Sequence, residues 1–360
     1  MTCVLVTGAG GAPSANFVDS LRQADEPLRI VGTDASREMI ELAPVDVRYL
    51  VPRADADPHA YLEELRAVIS AEGVDFVHAQ PDGEVLLLAQ HAAELGAATY
   101  FPTAATVALC QDKAAFAGRL RDAAVPTPEF VVAGSREELG DAASDIVRAH
   151  DKAWVRARRG AGSRAALPVT KPGQALSWAD WWVEERGLDY GDFMISEFLP
   201  GREFGFQSLW RDGELLTSQA RERVTYLFGH LFPSGQSSSP AVARTVHRAD
   251  VNEMAQRAVA AVDADARGVF CVDLKENADG VPLVTEVNCG RFFTTSNFFA
   301  RAGINMPWHY VQLGLGRELP AIPRVNAVEE GLYWVRMVDM GYTLVRDGEW
   351  TSRRVSPEGG

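Results

Sequence analysis

Along the first hundred residues, short β-branched apolar runs alternate with stretches of helical periodicity. Strand-like runs fall at 3–7, 29–33, 47–51 and 76–79 and near 99–101, while apolar residues recur at helical spacing over 16–21, 61–69 and 85–95. Such alternation predicts a parallel α/β sheet with helical crossovers. Pro102-Thr103 punctuates this unit and sets a boundary near residue 104. Residues 104–124 read as two helices, closed by Pro126-Thr127-Pro128, because a residue before proline is pushed out of the helical region. Beyond them, strands at 153–156, 193–198, 204–210 and 215–220 and helices at 135–149 and 174–185 predict a largely antiparallel sheet. The Ser- and Gly-rich stretch 233–240 reads as a mobile loop. A helix at 251–262 precedes strands at 269–275 and 282–287, and the last forty residues, with Tyr333, Trp334 and Trp350, read as a β-rich appendage.

Composition narrows the class. A chain of 360 residues, 47% hydrophobic and 23% charged, can bury the cores of two or three domains. No run approaches the ~20 apolar residues of a membrane span, and residues 1–7 lack the basic start of a secretory signal, so a cytoplasmic enzyme with no membrane partner is expected. The net charge of −14 speaks against nucleic acid as a partner and requires any site for an anionic substrate to be locally positive. Lysine occurs only at Lys113, Lys152, Lys171 and Lys275, which gives each one weight. The four cysteines lie far apart without a CxxC pair and the seven histidines show no HExxH, so neither disulfides nor zinc are expected.

Candidate chemistry concentrates in residues 268–288. Asp279-Gly280 is a strong signal for a two-residue hairpin turn, and that register sets Asp273 opposite Glu286. Opposed residues share a face with Cβ atoms ~4.5–5.5 Å apart, close enough for two carboxylates to need a cation between them. Asn288 follows on the same face by the two-residue period, completing an oxygen set suited to Mg2+. A four-residue loop would instead set Val284 opposite Asp273, and a solvated acidic hairpin is the alternative to a site.

The run Glu286-Val-Asn288-Cys-Gly-Arg291-Phe resembles the Glu-x-Asn-x-x-Arg-Phe signature of ATP-grasp enzymes of the carbamoyl phosphate synthase large-subunit-like branch. Gln111-Asp-Lys113-Ala-Ala-Phe116, ahead of Pro126-Thr-Pro128, resembles that family's Asp-Lys-x-x-Phe helix and Val-Pro-x-Pro turn. Trp154-Val-Arg156-Ala-Arg158-Arg159-Gly160-Ala-Gly162-Ser163-Arg164 is similar to its strand and glycine-rich phosphate loop, with arginine at 156 where lysine is commoner. Ser196-Glu197-Phe198-Leu199-Pro-Gly201-Arg-Glu203 resembles its hinge. The resemblance implies a Rossmann-like N-terminal domain (1–104), a small ATP-grasp subdomain with linker helices and phosphate loop (105–190), a large subdomain with the metal site (191–320) and the C-terminal appendage (321–360).

By the same resemblance, Asp273, Glu286 and Asn288 would bind magnesium (two ions, with Mn2+ as a substitute). Lys113, Arg156, Arg159, Gly160, Gly162 and Ser163 would meet the ATP phosphates, Glu197, Phe198 and Leu199 the adenine, and Glu203 the ribose. Arg291 would stabilise an oxyanion, and Arg221 or Arg223 would contact phosphate or a substrate carboxylate. The implied activity is a standalone carboxylate–amine ligase that makes an amide or peptide bond through an acyl phosphate and releases ADP and phosphate. Its partners would be small-molecule carboxylates and amines, and the apolar stretch 333–338 offers a surface for a homodimer. The rival reading is an NAD(P)-dependent oxidoreductase, from Gly8-Ala-Gly10-Gly11 after a strand and Asp34 at the end of the next. Pro13 stands where the strict fingerprint needs glycine, and no lysine has tyrosine four residues before it. A non-catalytic nucleotide-binding regulator is the third reading, one with no use for juxtaposed carboxylates.

Overall fold

A computed structural model describes residues 1–160, 164–237, 239–338 and 352–353. Gly162, Ser163 and Trp350 lie outside the described residues. The N-terminal part runs β1 (Thr2–Thr7), α1 (Ala12–Leu21), β2 (Leu28–Asp34), β3 (Val47–Leu50), α2 (Pro58–Glu72), β4 (Phe76–His78) and α3 (Asp82–Gln90). Its four strands pair in parallel in the order β3-β2-β1-β4. The predicted strand near 99–101 is absent. Only Ala98 bridges Phe76, and Tyr100 turns away to donate its hydroxyl to Trp210 O at 3.1 Å. The predicted helix 85–95 stops at Gln90 and resumes as one 3-10 turn, Ala92–Glu94.

The glycines after β1 serve the chain itself. Gly10 N–H donates to Asp34 Oδ2 at 3.0 Å, and a Cβ on Gly10 would stand 2.2 Å from Met39 O. Asp34 also accepts from Ser36 N–H at 2.9 Å. The residues that the oxidoreductase reading assigns to pyrophosphate and ribose are therefore spent on packing the loop against the turn that follows β2.

Two helices follow, α4 (Ala104–Gln111) and α5 (Lys113–Asp122), capped by Thr103 and Asp112 side chains that accept from Thr106 N–H and from Ala114 and Ala115 N–H. Next come β5 (Phe130–Val132), α6 (Arg136–His150), β6 (Ala153–Ala157), β7 (Leu167–Val169), α7 (Pro172–Arg186) and β8 (Phe193–Glu197). The chain continues through β9 (Glu203–Arg211), β10 (Glu214–Tyr226), β11 (Pro240–Val246), α8 (Ala249–Val262), β12 (Gly268–Glu276), β13 (Pro282–Cys289), α9 (Asn297–Arg301), α10 (Met306–Gly314) and β14 (Tyr333–Val335).

The antiparallel strands form two sheets, β5-β8-β6-β7 and β13-β12-β9-β10-β11-β14. This corrects the expected boundaries in two places. β8, expected with the large subdomain, pairs β5 and β6 in the small sheet, and α4 and α5 pack on β13 and α8 of the large one. The expected appendage also joins the large sheet, since β14 is its outer strand, with Tyr333 and Val335 exposed.

The six-stranded sheet divides its faces by the two-residue period. Phe204, Phe206, Val272 and Leu274 share a buried apolar cluster with Val251, Ala255 and Val259 of α8, whereas Glu203, Asp273 and Lys275, at alternate positions, line a cavity. All four cysteines are buried and unbridged. Among the described residues no helix is long and apolar enough to cross a membrane.

Because Gly10 abuts backbone that cannot swing aside, Gly10→Ala is expected to lower stability by about 1–3 kcal/mol. Equilibrium denaturation measures this, and an unchanged midpoint would contradict the close approach.

Candidate active site

Asp273 does lie opposite Glu286, by a different route from the one expected. The hairpin connection is residues 277–281, not a two-residue turn. Asn277 Oδ1 accepts from Asp279 and Val281 N–H, both at 3.0 Å, and Gly280 takes φ +76°. Glu276 then pairs Pro282 and Leu274 pairs Val284, one residue out of the expected register. A bulge between Asp273 and Leu274 absorbs the slip at Thr285, whose hydroxyl donates to Asp273 O at 3.1 Å and whose carbonyl accepts from Arg156 Nη2 at 3.1 Å.

Registers across the sheet then arrange the polar face in rows. One row reads Glu286, Asp273, Gly205, Arg221, from β13 to β10. A second carries Lys275, Glu203 and Arg223, and a third Asn288, Cys271 and Gln207. Glu286, Asp273, Arg221, Lys275, Glu203, Arg223 and Asn288 of these rows floor a cavity of about 560 Å3 whose walls come from α5, the small sheet and the N-terminal domain. Its lining carries Lys113, Arg156, Arg164, Arg221, Arg223, Lys275 and Arg291 against Asp82, Glu197, Glu203, Asp273 and Glu286. A chain of net charge −14 thus encloses a locally cationic site.

The carboxylate pair sits inside a frame of these cations. Glu286 has Lys113 Nζ at 3.9 Å and Arg156 Nη1 at 4.0 Å. Burial pushes Glu286 up, but Lys113, Arg156, Arg291 and Arg223 outweigh it and hold the carboxyl below its ordinary value. Burial raises Asp273, with Glu286 adding to the rise and its ion-pair partner Arg223 opposing it. Asn288 Nδ2 donates to Asp273 Oδ2 at 3.3 Å, and its Oδ1 accepts from Arg291 Nη2 at 2.6 Å. Two half-buried carboxylates face each other with the Asn288 carboxamide beside them, donor types that suit Mg2+, and in this arrangement Asn288 turns its nitrogen to Asp273 and its oxygen to Arg291. These three residues are the candidate cation site; among the described residues no group of three or more His, Cys, Asp or Glu is placed to hold a metal ion.

The other residues singled out in the sequence are distributed as follows. Lys113, the first residue of α5, donates to Gly160 O at 2.8 Å and lines the cavity with Gly160. Arg159 does not join them: its side chain is 75% exposed and binds Asp112 Oδ2 at 3.0 Å, because Asp112 gathers both Arg158 and Arg159 at the start of α5. Glu197, Phe198 and Leu199 line the opposite wall. Glu203 accepts from Arg223 Nη1 at 3.0 Å, from Gln236 Nε2 at 2.7 Å and from the Tyr226 hydroxyl. Arg221 and Arg223 lie inside β10, which extends beyond the predicted strand.

Sequence reasoning missed the N-terminal domain's share. Asp82, in the first turn of α3, pairs with Arg291, and Gln80 Nε2 donates to Phe292 O at 2.7 Å. Behind them His78, fully buried and stacked on Phe17 at 3.8 Å, pairs Nε2 with Gln80 Oε1 at 2.9 Å. All three lie at or just beyond the carboxyl end of the parallel strand β4, where open α/β sheets bind ligands, and that rule was the available signal. Gln236 and Lys275 were also missed, although Lys275 is one of only four lysines, while Arg164, which closes the glycine-rich motif, lines the cavity with them.

This architecture, a Rossmann-like N-terminal domain followed by two subdomains with a cleft between them, is the ATP-grasp fold. The chain is similar to an L-amino acid ligase from Bacillus licheniformis (16% identity, 88% of this chain and 74% of that one, TM-score 0.65). It is also similar to a biotin carboxylase from Campylobacter jejuni (13%, 92% and 74%, TM-score 0.69). A third likeness is to carboxyaminoimidazole ribonucleotide synthase from Aspergillus clavatus complexed with ATP (16%, 92% and 80%, TM-score 0.63). At such identities the likeness establishes the fold. No protein-family model matches the chain, and no curated protein does.

Burial pushes the His78 imidazole down to about 4, against an ordinary 6.5, with Gln80 opposing. The unfolded chain therefore binds a proton there that the folded one refuses. The stability this group supports is complete above pH about 6.5 and declines, by up to about 3 kcal/mol, as pH falls toward 4. Denaturation midpoints from pH 7 to 4 should fall more steeply for wild type than for His78→Phe; equal slopes would contradict the assignment.

Proposed function

We propose that the chain is a magnesium- and ATP-dependent carboxylate–amine ligase, close to the carbamoyl phosphate synthase-like branch on the motif Glu286-x-Asn288-x-x-Arg291. The observation that carries the reading is the half-buried, opposed pair Asp273 and Glu286 inside a cationic frame at the base of the cavity. A substrate carboxylate oxygen attacks the γ-phosphorus in line, the bond from phosphorus to the ADP oxygen breaks, and an acyl phosphate forms. An amine nitrogen then attacks the acyl carbon, phosphate departs, and the amine loses its proton to solvent. Such a transfer needs positioning and charge neutralisation more than a nucleophilic side chain.

Asp273, Glu286 and Asn288 are the residues that would hold magnesium, which neutralises phosphoryl oxygens when bound. Lys113 and Arg156, beside Glu286 and the Gly160 backbone, face the phosphates. Gly162 and Ser163 retain the phosphate-loop role that the motif implies. Arg159 instead braces the start of α5 through Asp112. Backbone groups of Glu197 and Leu199, with the Phe198 ring, receive adenine, and Glu203 the ribose. Arg223 balances both Glu203 and Asp273. Arg291, oriented by Asp82 and Asn288, stabilises the oxyanion.

Thermal-shift titration with ATP, ADP, NAD+ and NADPH, with and without Mg2+, tests the reading without a known substrate. A ligand at 100 times its dissociation constant stabilises the native state by about 2.7 kcal/mol. Magnesium-dependent stabilisation by ATP, lost in Glu286→Ala, is expected, whereas a response to NAD+ or NADPH alone would refute the ligase assignment. Once turnover is found, Arg291→Ala should lower kcat about 100-fold or more; a KM effect at unchanged kcat would remove Arg291 from the oxyanion role.

A further inference from the structure

Most cations lining the cavity have a carboxylate within 4.0 Å: Lys113, Arg156, Arg223, Lys275 and Arg291 all do. Arg221 has none among the described residues. It is 1% exposed, Nη1 donates to Thr295 O at 3.1 Å, and buried Nε has no partner. Its guanidinium lies 4.7 Å from the Phe293 ring centre and 5.4 Å from that of Phe299. Aromatic faces recover only part of what a buried charge loses in leaving water. Burial, with Arg223 nearby, lowers its pKa to about 9. The side chain nevertheless lines the cavity, where a ligand can reach it.

Its position in the sheet supplies a length. Arg221 pairs Gly205 and Gly205 pairs Asp273, so two strand spacings, roughly 10 Å, separate the backbones of Arg221 and Asp273. Gly205 leaves that span without a side chain; a Cβ there would press on the Phe293 ring at 3.2 Å. The activated carboxylate belongs at the Asp273–Glu286 end, beside Arg291. We infer that Arg221 anchors a second carboxylate, carried by one of the two substrates about two strand spacings from the reacting centre. The inference rests on the ligase reading. The second carboxylate belongs either to a dicarboxylic acyl donor or to an amino acid that supplies the amine.

Two measurements on the full chain test it. In thermal shift, succinate and L-alanine are the probes, with L-alaninamide as the uncharged control. Arg221→Met should melt at or above wild type, because an apolar chain against two phenylalanines replaces an unpaired charge. Succinate or L-alanine should stabilise wild type and not the variant. A variant that melts several degrees lower, or responds like wild type, overturns the proposal. The second measurement is ADP release with Mg-ATP over pairs of acids and amines, each carboxylate offered free and as its amide. Blocking the second carboxylate, or Arg221→Met, should cut kcat/KM about 30-fold or more, and Arg221→Lys should restore part of it. Whether the sensitive carboxylate lies on donor or acceptor identifies its source. A loss confined to the KM for ATP would make Arg221 a phosphate contact and overturn the proposal. Turnover indifferent to both changes overturns it and leaves the ligase intact. If no pair releases ADP and Mg-ATP produces no thermal shift, the ligase reading fails, and the succinate and L-alanine response alone decides whether Arg221 holds an anion.

Discussion

Two carboxylates held face to face in a half-buried site repel each other, and the rest of this site is arranged around that repulsion. Asp273 and Glu286 are opposed by backbone register, so the β12–β13 ladder fixes how close their Cα atoms stand. The charges that balance them come from elements far apart in the chain: Lys113 from α5, Arg156 from β6, Arg223 from β10. Helix, small sheet and large sheet must therefore meet before the pair is tolerable, which ties the folding of the cleft to its electrostatics.

The same principle explains the part played by the N-terminal domain. Its glycine loop is closed on itself through Asp34, while the end of β4 and the start of α3 reach the cleft. Asp82 and Gln80 hold Arg291 and the Phe292 carbonyl, so the segment after β13 is clamped from outside its own sheet. The domain thus contributes charge and rigidity where a dinucleotide fold would contribute a phosphate cradle.

Local signals located many of these parts. Alternating periodicity marked the parallel N-terminal sheet because burial on one side of each element leaves a regular trace. The spacing of Glu286 and Asn288 put both on one face because the strand period is two. Lysine scarcity singled out Lys113 and would have justified the same weight for Lys275. The strand near 99–101 misled, since Tyr100 and Phe101 are apolar enough for a strand but bury into different cores. The Asp279-Gly280 signal also misled about the turn, although the opposed pair it implied is present.

What the sequence determined by itself is whatever short-range periodicity and residue chemistry carry: the strands, the helices, the oxygen donors and their common face. What only the tertiary structure decided is everything that depends on partners distant in the chain. The bulge at Thr285 restores a register that the five-residue connection had displaced, held there by Arg156, which lies 129 residues away. Arg159 was drawn to Asp112 and away from the cavity, while Asp82 was brought to Arg291 across 209 residues. Arg221 is isolated because the neighbouring strand offers it a glycine in place of an acid. Such outcomes follow from which charges end up adjacent after burial, and no local pattern encodes that adjacency.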